Sequence, residues 1–429
     1  VTGVVTGVGS GASAVKGDAR GADLRADASG LLPGLVALRR ELHADPELGL
    51  RLPRTQERVL RALDGLPLEI TRGEALDAVV AVLRGGRAGG PGEARPTVLL
   101  RADMDALPMR EETDVPYRAT GETMHACGHD LHVAGLVGAA QLLSARRDEL
   151  TGDVVFMFQP GEELGDGAAR MIAEGVLDVS GRRADAAYGI HVVPGEFGVF
   201  STKPGPLMAG CAELAVTVRG RGGHASAPHL TRDPVPVVAE LVTALQSYVT
   251  RRFDVFDPVV ITVTQLAAGG VARNIIGNDA TLGATMRMLS AASLERLQAD
   301  LPGLVTSIAA AHGCEADVVV EVLVPPTVND VALAGAALET LADVFGEERV
   351  RTSPAPVMGS EDFSHVLLAV PGTFVFLRAT PPSIDHETAA PNHSPHVVFD
   401  DAVLADQAVA LAALALTHLQ EGWPCRSTS

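Results

Sequence analysis

Between Met124 and Asp130 the chain reads Met-His-Ala-Cys-Gly-His-Asp, a thiol, two imidazoles and a carboxylate in one short stretch. A thiolate beside imidazole is ligand chemistry for a borderline divalent cation. Cys127 and His129 are two residues apart and cannot share a helix face, so they meet one ion only at a turn. Gly128 permits that turn. The apolar residues Val133, Leu136, Val137, Ala140 and Leu143 then recur at helical spacing. The motif therefore sits at the mouth of a helix, where free N–H groups favour a thiolate. A lone cysteine is more often a small buried hydrophobe, so further ligands are required from elsewhere.

Three later stretches offer them. Glu162-Glu163 follows the apolar run Val154-Val155-Phe156-Met157-Phe158 and a Pro160-Gly161 turn, where buried acids need a cation or a proton. Adjacent acids there can divide the work, one coordinating and the other acting as general base on a bound water. His191 lies in the apolar Gly189-Ile190-His191-Val192, although a buried histidine commonly just bonds to backbone. His393, in Asn392-His393-Ser394-Pro395, has a loop setting that a surface residue would share.

These residues need a frame. Helical patterns over 31–43 and 55–63 precede Val-rich runs over 78–83 and 97–100, whose Gly/Pro/Ala-rich link reads as a hairpin or loop. The second run ends in Asp103-Met104-Asp105, acids at the carboxyl end of a buried strand, where open α/β sheets place ligands. Strand 154–158, helix 168–177 and strand 186–193 continue the α/β rhythm. From 209 the order changes to strand 213–218, helix 234–248, strands 259–266 and 280–288, helix 294–311 and strand 317–324. That β-α-β-β-α-β order is the ferredoxin-like unit. Helix 331–344, strand 373–377 and a final helix then resume the first pattern. The expected fold is α/β: a discontinuous domain with a mixed, largely parallel sheet over 31–208 and 327–423, and an inserted ferredoxin-like α+β domain over 209–326. Residues 1–30 show no period and read as a disordered leader.

Length and composition agree with two cores: 429 residues, 47% of them hydrophobic. A net charge of −19 argues against nucleic acid or an anionic membrane surface as partner. The richest apolar run, 408–416, is about half of the ~20 residues that span a bilayer. The first residues lack the charged-then-apolar order of a signal peptide. Four cysteines without a disulfide framework fit a reducing cytoplasm.

Met124 to Asp130, Gln159 to Glu163, Gly189 to His191, Gly222-Gly223-His224, Met358 to Phe363 and Asn392 to Pro395 together resemble, in order, the signatures of a two-metal amidohydrolase and peptidase family. It contains aminoacylases and carboxypeptidase G, and the resemblance is to its branch of hippurate hydrolases and indole-acetyl-amino-acid hydrolases. It implies that Cys127 bridges two divalent ions, with His129, Glu163, His191 and His393 as the other ligands. Glu162 would be the general base. His224 would stabilise the oxyanion from a partner subunit, with the inserted domain as lid and homodimer contact. Asn274 and Arg287 would hold the substrate's carboxylate or carbonyl, and Asp105 would orient a ligating histidine. The implied substrate is a small N-acyl amino acid, cleaved at its amide. Mn²⁺, Zn²⁺, Co²⁺ and Ni²⁺ all suit such ligands. A dipeptidase or carboxypeptidase would share these residues, and a metal-bound binding protein without turnover is the reading from another class. Leu131 and Val133 replace a glycine and a threonine more usual in this branch, implying a changed pocket floor.

Overall fold

The computed structural model describes residues 11–87 and 95–421. Helices α1 (Gly11–Ala44) and α2 (Pro53–Leu63) come first, then strands β1 (Leu68–Arg72), β2 (Val79–Leu83) and β3 (Thr97–Asp103). Next come α3 (His129–Ala145), β4 (Asp153–Gln159), α4 (Gly167–Ala173), β5 (Ala186–Val193) and β6 (Phe200–Thr202). β7 (Gly205–Met208) leads into β8 (Gly210–Arg219), β9 (Gly223–His224), α5 (Pro234–Arg252), β10 (Val259–Ala268), β11 (Ile275–Ile276), β12 (Asp279–Met288), α6 (Ala291–Ala311) and β13 (Glu315–Val324). The chain ends with β14 (Thr327–Asn329), α7 (Val331–Phe345), β15 (Val350–Thr352), α8 (Ser364–Ala369), β16 (Gly372–Arg378) and α9 (Val403–Glu421).

Two compact units result. The first runs to Gly205 and resumes over Asn329–Pro354 and from Val366; the second is Pro206–Val328 with Ala355–His365. That last segment joins the inserted unit unexpectedly, through backbone bonds. Ala209 N–H donates to the carbonyls of Val357 and Gly359 at 3.0 Å, and Val357 N–H to Leu207 at 2.9 Å.

The first unit holds an eight-stranded sheet in the order β1-β2-β4-β3-β5-β16-β6-β15. Its centre, β4·β3·β5·β16, is parallel, and β6·β15 also; β1·β2, β2·β4 and β16·β6 are antiparallel. The expected mixed, largely parallel sheet is therefore present. The expected link between β2 and β3 is not a hairpin, since β4 pairs between them. The hairpin partner of β2 is β1, which is mostly exposed and too polar to stand out as a strand. β4 is buried along its whole length, as its unbroken apolar run requires.

α1 corrects the disordered leader: residues 11–30 are helical, while 1–10 lie outside the described residues. Leu24, Ala28, Leu35, Leu38 and Leu42 are buried, and α1 packs on α3, α7 and α9. Weak local propensity in a Gly/Ala/Asp-rich stretch is overridden by that packing. α3 is buried along nearly its whole length, apolar apart from the residues of its first turn and Gln141 and Ser144. A Cβ on Gly138 would lie 2.7 Å from the Ala408 Cβ and 2.8 Å from the Leu35 Cδ1, so α1, α3 and α9 meet there at closest approach. Leu131 and Val133 belong to this core with no exposure, so they do not form a pocket floor. In α9 the 18 residues Val403–Gln420 are long and apolar enough by composition to cross a membrane, twice the run read from sequence. Of that window 78% is buried inside the fold, as in a core helix.

One buried ion pair ties α1 to α3. Arg39 Nε donates to Asp130 Oδ2 at 2.7 Å, and His43 Nδ1 lies 2.8 Å from the same oxygen. Burial works against the Asp130 carboxylate, but Arg39 and His43 hold it well below the usual carboxylate range. Arg39→Ala would leave that charge with His43 alone and cost about 3–5 kcal/mol; chemical denaturation measures it.

In the second unit the four-stranded antiparallel sheet has the order β10-β12-β8-β13, the ferredoxin-like arrangement. Burial alternates along β8 and β12, with Leu214, Val216, Leu282 and Met286 meeting Val237, Leu241 and Leu245 of α5 and Leu297, Leu301 and Val305 of α6 in one core. Asp233 caps α5 by accepting from Val235 N–H at 3.0 Å.

Candidate metal centre

Parallel β3, β4 and β5 deliver their carboxyl ends to one side of the sheet, and the expected donors converge there. Gly128 is the N-cap of α3 at φ +84°, and a Cβ on it would stand 2.3 Å from the Val192 Cγ2. Only glycine satisfies both constraints, and the turn it makes presents Cys127 and His129 together. His393 is the one non-glycine with positive φ (+66°) among the described residues, its N–H donating to the Ala126 carbonyl at 2.9 Å. Strain of that kind is tolerated where a side chain must be aimed.

The Cys127 Sγ lies 3.4 Å from His191 Nε2 and 3.3 Å from His393 Nε2. Glu163 Oε1 lies 3.5 Å from His393 Nε2 and 3.9 Å from His129 Nε2. All five expected ligands are thus within one cluster. The ring tautomers also agree with metal binding: His129 Nδ1 donates to the Asp105 carbonyl at 2.8 Å and His191 Nδ1 to the Val192 carbonyl at 2.7 Å. Each leaves its Nε2 facing the cluster. His129 Nε2 and Glu163 Oε1 are buried without a hydrogen-bond partner, an arrangement that is costly unless a cation completes it. The residues present therefore fit divalent metal.

Asp105 holds His129 through its backbone carbonyl and has a further role through its side chain. Its carboxylate accepts from the N–H groups of Glu162 at 3.0 Å and Glu163 at 3.1 Å, while its carbonyl serves His129. It shapes the acidic turn as well as the imidazole. Glu162 Oε2 stands 3.9 Å from His129 Nε2, beside the donors.

From the protein's own groups, burial pushes the Cys127 thiol up to about 12 and Glu163 up to about 7, His129 opposing both. Burial also works against the charged form of His129, but Asp103 and its other partners raise it. At neutral pH a cation must displace the thiol proton, so affinity should rise about tenfold per pH unit on that account. Below about 7 the carboxyl of Glu163 adds a second proton to displace. Calorimetric metal titration in buffers of different ionisation enthalpy should show about one proton released per thiolate formed; metal uptake without proton release would contradict it.

Two neighbours escaped the sequence reading. His132 Nδ1 bonds the Asp103 Oδ1, and its Nε2 accepts from the Val192 N–H at 2.8 Å. Asn392 Nδ2 donates to the carbonyls of Cys127 and Val192, each at 3.3 Å. The signal was there: His132 stands one helical turn after His129, and Asn392 directly before His393.

In the inserted unit the β9·β11 pair sets His224 opposite Ile275, and Ala225 N–H donates to the Asn274 carbonyl at 2.9 Å. His224 and Asn274 are therefore together. His224 Nδ1 accepts from Ser226 N–H at 3.2 Å, leaving a proton on Nε2. Arg287, its guanidinium on Cys211 Sγ, lies near the other end of β12. Gly222 N–H bonds Asn278 at 2.9 Å at the start of that strand, so Arg287 is about 30 Å along the strand from the His224 ribbon. One unit does not bring these three to one substrate.

A mixed sheet with N, S and O donors gathered at its parallel strand ends is the equipment of a metallohydrolase. The chain belongs to peptidase family M20/M25/M40, whose model matches residues 99–417. It is 36% identical over 388 residues to thermostable carboxypeptidase 1 of Saccharolobus solfataricus, covering 89% of this chain and 94% of that one. It is 35% identical over 393 residues to IAA-amino acid hydrolase ILR1-like 4 of Arabidopsis thaliana, covering 90% and 86%. A dinuclear metal-binding peptidase of family M20 from Bacillus subtilis superposes with a TM-score of 0.75 at 29% identity, covering 91% of this chain and 99% of that one. The chain is accordingly a hydrolase of a family with dinuclear metal binding.

Proposed function

We propose that the protein hydrolyses the amide of small N-acyl amino acids to a carboxylate and a free amino acid, in a reducing cytoplasm. The observation that carries this reading is the pair of buried polar atoms without a hydrogen-bond partner, His129 Nε2 and Glu163 Oε1, next to the Cys127 sulfur and an adjacent second acid. Cys127, His129, Glu163, His191 and His393 would hold two divalent ions of the Mn²⁺, Zn²⁺, Co²⁺ or Ni²⁺ class. When bound, such ions supply Lewis acidity that polarises the scissile carbonyl and makes water a nucleophile at neutral pH. Glu162 takes the proton as the water oxygen bonds to the carbonyl carbon, then delivers it to the nitrogen as the C–N bond breaks. His224 donates its Nε2–H to the oxyanion. Asn274 and Arg287 hold the substrate's carbonyl and carboxylate.

The separation of Arg287 from the His224 ribbon exceeds an acyl amino acid by far, which supports His224 and Asn274 coming from a second copy of the chain. The edge strand β10, with Val260 and Leu266 exposed, is a surface through which the inserted units can pair. Mixing Glu162→Gln and His224→Ala chains should then restore activity that neither variant has alone. No recovery, or a monomer in sedimentation, would count against the dimer.

The substrate class is tested by assaying N-acetyl, N-benzoyl and indole-acetyl amino acids beside dipeptides and longer peptides. We expect the acyl amino acids to turn over fastest, with metal content of two per chain. The identity to a carboxypeptidase supports the second reading, and faster peptide cleavage would favour it. Full metal content with no turnover of either would leave a binding protein.

A further inference from the structure

Asp103, His129, His132 and His191 bring ligand atoms within 4.8 Å of one another, a second cluster behind the first. Their hydrogen bonds decide what it is. His132 Nε2 accepts from the Val192 N–H, so its proton is on Nδ1 and is donated to Asp103 Oδ1. The other oxygen of Asp103 accepts from Arg101 at 2.6 Å. Both nitrogens of His132 are thus committed, and its direct bond to Asp103 leaves no place for an ion between them. The imidazole is fully enclosed, its ring centroid 5.3 Å from that of His129 and 4.6 Å from that of His191.

What His132 holds is the backbone of Val192, at its N–H. The carbonyl of Val192 accepts from His191 Nδ1 at 2.7 Å and from Asn392 at 3.3 Å. Asn392 in turn precedes His393, whose left-handed backbone aims its ring at Cys127. One side chain on α3 therefore fixes the backbone of one β5 residue at its N–H, and the carbonyl of that same residue, in the next peptide unit, is where the tautomer of His191 and the approach of His393 are both tied. Asp103 fixes the ring of His132 from β3 and also lies 3.5 Å from His129 Nε2.

We propose that His132 is a positioning residue: through the Val192 N–H it orients His191 and His393 for metal, without ligating metal itself. This rests on the two-metal reading above. An outer partner of this kind is worth about 10–100-fold in metal affinity. His132→Phe removes both bonds, whereas His132→Gln can supply one acceptor and one donor with similar spacing.

The experiment measures metal stoichiometry and affinity by equilibrium dialysis, and the charge-transfer and d–d absorption of the Co²⁺-loaded protein, on wild type and both variants. We expect two ions per chain in wild type, an affinity for one of them about 10–100-fold weaker in His132→Phe with an altered Co²⁺ spectrum, and near-complete recovery in His132→Gln. Thermal unfolding of the metal-free proteins separates this from loss of fold. Unchanged affinity and spectrum in a folded His132→Phe overturns the proposal. So does a third ion in wild type that His132→Phe abolishes, or a His132→Gln variant no better than His132→Phe. A wild type that binds no pair of ions overturns the two-metal reading instead.

Discussion

Glu162→Gln should retain both metal ions and lose about 10²–10⁴-fold in turnover, the usual contribution of a positioned general acid-base group. The substitution is near-isosteric, and what shapes the turn is untouched: Asp105 accepts from the backbone N–H groups of Glu162 and Glu163, not from their side chains. Glu163 keeps its place among the donors, so metal content is a clean control. Because an amide cannot take up the water proton, the loss should fall on kcat with little change in KM. Full turnover in a metal-loaded Glu162→Gln protein would remove Glu162 from the base role and shift attention to another acceptor near His129.

Cys127→Ser should be the other large effect, this time on the metals themselves. The sulfur lies 3.4 Å from His191 Nε2 and 3.3 Å from His393 Nε2, the point at which imidazoles from β5 and the late loop approach one atom. A serine hydroxyl is a neutral, poor ligand in place of a soft anion. We expect metal affinity to fall by more than about 100-fold, beyond what outer partners contribute, with activity falling in parallel. The thiol's share of the proton release on metal uptake should vanish, since burial holds it protonated to about 12. Elemental analysis and the same calorimetric titration read both. Unchanged occupancy would show that the imidazoles and Glu163 suffice without a bridge.

Much of the architecture was legible because it rests on short-range rules. The buried strand β4 announces itself as an unbroken apolar run, β5 as an apolar run interrupted by His191, and the inserted unit as an alternating β-α-β-β-α-β series. What escaped was decided by neighbours. α1 extends well before residue 31, where Leu24 and Ala28 meet other helices, a contact that local propensity does not encode. β2 passes over β3 to pair with β4, since strand order depends on crossovers and not on adjacency in the chain. The segment Ala355–His365 joins the inserted unit by backbone bonds that no side-chain pattern reports.

The donor chemistry itself was determined by residue types: a thiol and an imidazole around a glycine, paired acids after a buried strand, and histidines in an apolar run and a late loop. Tertiary structure alone decided which atoms of those residues are available. Asp105 serves the acidic turn as well as His129, and His132 spends both nitrogens on Asp103 and Val192. His129 Nε2 and Glu163 Oε1 are left without a partner. The reason is that each hydrogen-bonding atom can be committed once, and only the fold determines to whom.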